Sequence, residues 1–146
     1  MAERLKSPPP QRDTKTPKLK TPPGATDTHF HLYGPGKRFP YHPDAPLLVE
    51  DSTLDDMLKL HNTLGIERGV IVHSVVQGNT YEYLLHALSR EPERLRGIAL
   101  PAPNITDREL EILTNTGVVG ARFAYRANPE INTEIIARTH EFGWHP

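Results

Sequence analysis

The sequence predicts an α/β protein: the first four βα units of a (β/α)8 barrel, a half barrel, preceded by a disordered proline-rich arm. Three observations predict it. Short β-rich runs alternate with amphipathic stretches that carry helix punctuation, four times in succession. The first β-rich run ends in polar residues and a long irregular loop, where an open nucleotide-binding sheet would have a glycine-rich turn leading straight into a helix. The opening residues, finally, are compositionally unlike the rest. Strict alternation implies parallel strands, because parallel neighbours need a crossover connection.

Residues 1–24 hold six of the 15 prolines and only four apolar residues, Met1, Ala2, Leu5 and Leu19, with six Lys or Arg against Glu3 and Asp13. Such a stretch buries too little apolar surface to offset its ordering entropy, which predicts a disordered basic leader. Residues 25–146 form the folded unit, the N-terminal half of the barrel, with 11 Lys+Arg against 16 Asp+Glu.

Within that unit, strands are expected at Ala25–Leu32, Gly69–Val76, Leu95–Leu100 and Val118–Tyr125. The first helix is expected from Ser52, with Asp55 as its capping-box partner, Leu54, Met57, Leu58 and Leu64 on one face, and Gly65 closing it. A second follows Asn79, with Glu82 at its third position, and stops before Pro92. A third is capped by Thr106 with Glu109 and ends at Gly117. A fourth has Asn128 as cap, Pro129 in the first turn, Ile131, Ile135 and Ile136 inside, and Gly143 after it. Trp144 and His145 read as the opening of a fifth strand.

Composition excludes several chemistries. The 146 residues contain no cysteine, so disulfides, thiolate metal sites and cysteine nucleophiles are out. A net charge of −1 gives no reason to expect nucleic acid or an anionic membrane as partner. No apolar run approaches the roughly 18 residues of a membrane helix, and Met1–Lys20 lacks the apolar core of a secretory signal. A cytoplasmic protein is expected. No GxGxxG or GxxxxGK[ST] occurs.

The polar residues of the first strand, Thr26-Asp27-Thr28-His29-Phe30-His31-Leu32, carry the functional signal. Alternate residues share a face, so Asp27, His29 and His31 are expected to point one way. Two imidazoles there suit a divalent ion, zinc or manganese, at the strand ends where (β/α)8 active sites lie. The alternative is a pair of histidines satisfied by local hydrogen bonds. Of the others, His61 falls in the apolar stripe of the first helix and reads as packing. His86 and His140 read as surface or rim residues, and His42 belongs to the long loop.

Asp27-Thr28-His29-Phe30-His31-Leu32-Tyr33-Gly34-Pro35, then Arg38-Phe39-Pro40-Tyr41, resembles the opening of the amidohydrolase-related TIM-barrel hydrolases. Within them it is most similar to the 2-pyrone-4,6-dicarboxylate lactonase and sugar-lactonase branch. Leu19–Ala25, Val70-Ile71-Val72-His73 leading to Gly78-Asn79, Arg94–Ala99 and Gly117–Phe123 continue the likeness in order, so it covers about residues 19–146.

The resemblance implies that His29 and His31 are catalytic, polarising a substrate carbonyl through a divalent metal or in a metal-independent site. It implies that Arg122 holds a substrate carboxylate, a task that suits a guanidinium fork. Tyr41 and His73 are further candidates for binding substrate, and Asp27 for orienting an imidazole. Three positions depart from the branch: Val75 replaces a substrate-contacting serine, with Ser74 one place earlier, Leu47 a tyrosine and Asn128 a second arginine. They argue against that particular pyrone as substrate.

The expected function is hydrolysis of a lactone or related cyclic ester bearing a carboxylate, with a small molecule as partner. Two alternatives stand beside it: an inactive fragment that self-associates through an open half barrel, and a metal-dependent non-oxidative decarboxylase. In the family resembled, further ligands come from the fifth and sixth strands, and a water-activating aspartate from the end of the eighth. No residue of this chain takes that last role.

Overall fold

In the computed structural model, which describes residues 4–123 and 133–145, the four β-rich runs form one parallel sheet. In chain order the strands are β1 (Leu5–Lys6), β2 (Thr26–Phe30), β3 (Leu47–Leu48), β4 (Arg68–Val72), β5 (Leu95–Ala99) and β6 (Val118–Ala121). The helices are α1 (Leu54–Leu64), α2 (Glu82–Arg90), α3 (Asp107–Thr116) and α4 (Thr133–Glu141). The main sheet runs β2-β4-β5-β6, each strand beside its predecessor and parallel to it. The order steps always in one direction, with a single helix between each strand and the next, the winding of a βα unit repeated in series.

Burial follows that winding. Along β5, Leu95, Gly97 and Ala99 are buried against the helices, while Arg96 is exposed and Ile98 half-buried. Phe30, Leu54, Ile71, Leu84, Leu88, Leu110, Leu113 and Val118 join them in one core between sheet and helices. Trp144 extends this core and donates from Nε1 to Thr114 Oγ1 at 2.8 Å. At the next residue, where a fifth strand is expected to open, there is one isolated bridge: His145 pairs with Gly120 in parallel, with its carbonyl 2.8 Å from the Ala121 amide.

The helix signals are partly displaced. α3 has the expected Thr106–Glu109 capping box, and Gly117 closes it in the left-handed conformation, at φ 110°. α1 begins one residue later than expected, with Thr53 as cap and Asp56 as partner. Ser52 does not cap, because Thr53 after it is still extended, at φ −81° and ψ 169°, and the Ser52 amide and carbonyl are taken by Tyr33 at 2.7 and 2.8 Å. α2 starts at Glu82, so Glu82 is its first residue and not its third, and no side chain caps it. β4 stops at Val72, short of the expected Val76, because Ser74 caps a single 3-10 turn over Val75–Gln77. Asn128, Pro129, Ile131 and the expected strand end at Tyr125 lie outside the described residues.

The leader, expected to be disordered, takes a defined extended course. β1 pairs in parallel with β3, and the Ser7 amide donates to the Leu48 carbonyl at 2.9 Å. Arg4 donates to the Pro43 carbonyl, and Arg12 to the Asp51 carbonyl at 2.6 Å and to Asp56 at 3.1 Å. Further on, Thr21 Oγ1 donates to the Gly65 carbonyl at 2.6 Å. The arm thus runs alongside α1 from its first turn to its end. Leu5 and Leu19 stay 73% and 80% exposed, so the anchors are polar. Composition counts apolar area and does not register them.

Candidate active site

Two bulges shape the C-terminal edge of the sheet. On β2, the three steps from Asp27 to Phe30 match two steps on β4, Gly69 to Ile71. On β6, the two steps from Val118 to Gly120 match one on β5, Gly97 to Ile98. A bulge inserts one residue and resets which face the following side chains occupy. The strands that carry the histidine pair and Arg122 are the two that carry bulges.

The β2 bulge corrects one expectation. Asp27 does not share a face with the two histidines. Its Oδ2 lies 3.1 Å from Nε2 of His61 on α1, and Phe30 packs edge-on against the same ring at 5.1 Å. Asp27 therefore faces the helix layer, and the imidazole it orients is that of His61. His29 and His31 stay together, ring centroids 5.2 Å apart and nearly perpendicular.

His31 Nδ1 lies 2.6 Å from the Val72 carbonyl. A carbonyl only accepts, so Nδ1 carries the hydrogen and Nε2 of the neutral ring holds the lone pair. Burial lowers the His31 pKa, with the charges of Arg122 and His29 adding to the effect, and the bond to Val72 opposes it. The neutral form is thereby favoured. His29 is exposed.

His73 follows β4 directly and is 1% exposed, its ring 5.2 Å from that of Tyr81. Neither ring nitrogen makes a well-formed hydrogen bond among the described residues, and the Thr80 backbone offers only a weak contact. Burial pushes its pKa down to about 4; the Thr80 backbone opposes this, and the charges of His31 and Arg122 add to it. Arg122 is anchored by its amide, which donates to the Ala99 carbonyl at 2.7 Å. Its charge acts on both His31 and His73, and among the described residues no carboxylate pairs with it. The strand ends thus bring together two imidazoles, His29 and His31, and a guanidinium that no carboxylate pairs with among the described residues, while His73 is buried behind them among Ile71, Tyr83 and Leu84.

The Tyr41 hydroxyl is committed to a carboxylate of its own loop. It donates to Asp51 Oδ1 at 2.6 Å, and the Gly36 amide donates to the same oxygen at 3.1 Å. Burial and the Asp51 carboxylate push the Tyr41 phenol above its ordinary range. Tyr41 and Asp51 thus brace the 33–52 loop, which docks on the β4–α2 turn through the His42 amide and the Val76 carbonyl, 2.9 Å apart. Sequence reasoning missed Asp51. It also passed over Tyr33, two places beyond His31, whose ring lies 6.2 Å from His31 and whose hydroxyl accepts from Ser74 Oγ at 3.4 Å. The His-x-His-x-Tyr spacing was the available signal.

A divalent ion finds an incomplete set here. Zinc sites use three or four protein ligands. His29 and His31 offer two, and among the described residues no group of three His, Asp or Glu forms a metal cluster. The described residues do not make a metal site by themselves. No helix among them is long and apolar enough to cross a membrane.

Comparison with known proteins places this geometry. Residues 26–145 match the family model described as amidohydrolase. A 4-sulfomuconolactone hydrolase of Rhizobium radiobacter is 43% identical over 128 residues, covering 84% of this chain and 42% of that protein. A 2-pyrone-4,6-dicarboxylate hydrolase of Comamonas testosteroni is 32% identical over 135 residues, covering 88% and 44%. Among solved structures, a probable 2-pyrone-4,6-dicarboxylic acid hydrolase of Acinetobacter baumannii with citric acid bound superposes with a TM-score of 0.71. It is 22% identical and covers 83% of this chain and 47% of that one, so it speaks to the fold. The chain spans less than half the length of each of these relatives.

Proposed function

Because the chain belongs to the amidohydrolase family, we propose that it forms the first half of a (β/α)8 hydrolase that opens a lactone bearing an anionic group. The relatives named as hydrolases of a sulfonated and a dicarboxylated lactone support that substrate class. The observation that carries the reading is the Arg122 charge, which meets no carboxylate among the described residues and acts on a histidine whose tautomer is already chosen.

In the reaction, water adds to the carbonyl carbon, the ring C–O bond breaks, and the released oxygen takes a proton. The Arg122 guanidinium holds the carboxylate or sulfonate through charge-assisted hydrogen bonds. His29, exposed beside His31, donates a hydrogen bond to the carbonyl oxygen as negative charge builds there. His31 has a different task. With its hydrogen committed to Val72 and its ring kept neutral, Nε2 accepts: it suits taking a proton or ligating a divalent ion, and not polarising a carbonyl by donation.

The test is ring opening of a panel of carboxylated, sulfonated and uncharged lactones by the whole barrel of which this chain forms the first half, with and without chelator. Turnover of the anionic members that falls on His31→Ala is expected. Absence of any rate above the uncatalysed one contradicts the proposal, and loss of turnover with chelator assigns His31 to a metal.

A further inference from the structure

One buried polar side chain has no part in that chemistry. His61 is 0% exposed in the last turn of α1, with its ring turned toward the sheet against Phe30. Burying an imidazole costs free energy unless it is bonded to something worth holding. Among the described residues the ring's one hydrogen bond is to Asp27, and since a carboxylate only accepts, His61 Nε2 carries the donated hydrogen. Nδ1 has no partner among the described residues.

The other oxygen of Asp27 shows what the pair does. Oδ1 accepts from the His29 backbone amide at 3.1 Å. His29 lies inside the β2 bulge, between the paired residues Asp27 and Phe30, and a bulge leaves its extra residue outside the ladder. The carboxylate thus spans from the helix to the bulge, one oxygen to each. The sheet makes room for the arrangement. A Cβ at Gly69 would come within 2.7 Å of Phe30 Cε1 and 3.2 Å of His61 Cε1, so only glycine at that point of β4 lets ring and strand approach.

We propose that His61 is a positioning residue: through Asp27 it fixes the β2 bulge that turns His29 and His31 into the site. The consequence for catalysis rests on the lactonase reading, whereas the effect on the bulge stands without it. His61 acts through a backbone amide two bonds removed and touches no substrate.

The test measures amide hydrogen exchange at His29 and the ring 15N shifts of His31 in the full chain, with lactone turnover as a second readout. His61→Phe keeps the ring packing and removes the donor. Exchange at His29 should accelerate at least tenfold and the His31 shifts should change, with Val118 in β6 unaffected. His61→Gln, which keeps an N–H donor, should restore His29 exchange to within about threefold of the parent. Asp27→Ala, at a half-buried position, should reproduce the His61→Phe effect if that variant does not fold. Leu88→Ala, a core truncation remote from the pair, controls for general loosening. Unchanged exchange at His29 in His61→Phe or Asp27→Ala overturns the proposal, as does acceleration matched in Leu88→Ala or at Val118. If the parent opens no lactone while His29 responds as expected, the lactonase reading fails and the positioning role stands.

Discussion

At His31 a main-chain carbonyl on the neighbouring strand decides which nitrogen carries the hydrogen, and at Arg122 no carboxylate among the described residues pairs with the charge, which the proposed function gives to an anionic substrate. Both assignments lead to measurable outcomes. Arg122→Met should raise KM for a carboxylated lactone by about 10- to 100-fold, the loss expected when charge-assisted hydrogen bonds worth roughly 1.5–3 kcal/mol disappear. The effect on an uncharged lactone should be small, and steady-state kinetics on the two substrates separates these outcomes. His73 makes stability depend on pH. Its pKa is about 4 in the fold against 6.5 for the free group, so between those values the unfolded chain binds more protons than the folded one. The contribution is complete above pH 6.5 and is lost as pH falls towards 4, roughly 3 kcal/mol in all. About 2 kcal/mol of it should appear in urea unfolding between pH 7 and pH 5. His73→Leu, which removes the titrating ring from this buried position, should flatten that dependence. The lowered His31 pKa acts in the same direction.

The elements show what sequence patterns convey and what they miss. Four strands and their crossover helices were legible in order, because burial on one face leaves a period in the apolar residues. The Thr106–Glu109 box and the terminal glycines of α1 and α3 were legible too, since capping is local chemistry. Position along the chain was harder. Ser52-Thr53 followed by Asp55-Asp56 offers two capping boxes one residue apart, and the choice falls to Thr53 because Tyr33, far away in sequence, occupies the Ser52 backbone. Thr53→Ala should therefore cost about 1 kcal/mol in chemical unfolding, the usual value of a helix cap, while Ser52→Ala should cost far less. The bulges were not legible. They arise from register between neighbouring strands, and one inserted residue on β2 parts Asp27 from the histidines with which simple alternation grouped it. The histidine pair itself was found from spacing alone. Its tautomer depends on Val72, 41 residues away in sequence.

On the scale of the whole molecule, the arm joins the α1 side to the loop beside the site. Arg12 holds the Asp51 carbonyl, Asp51 holds Tyr41 and Gly36, and β1 pairs with β3 inside the same loop. Composition alone predicted a free leader, because polar anchors between residues about 40 apart leave no local mark. Removing residues 1–20 should leave the main sheet cooperative in unfolding, since none of its strands lies there. The same deletion should speed limited proteolysis within residues 33–52, and Arg12→Ala should give part of that effect. Above these contacts stands the central claim, that the bulged ends of β2 and β6 present His29, His31 and Arg122 to an anionic lactone. Its most direct test is an NMR titration of the full chain with a carboxylated lactone and, separately, with its uncharged methyl ester. The expected result is saturable shifts at the His29 and His31 rings and the Arg122 guanidinium with the acid, and markedly weaker binding of the ester. Equal affinity for the two, or shifts confined to residues away from these strand ends, would contradict it.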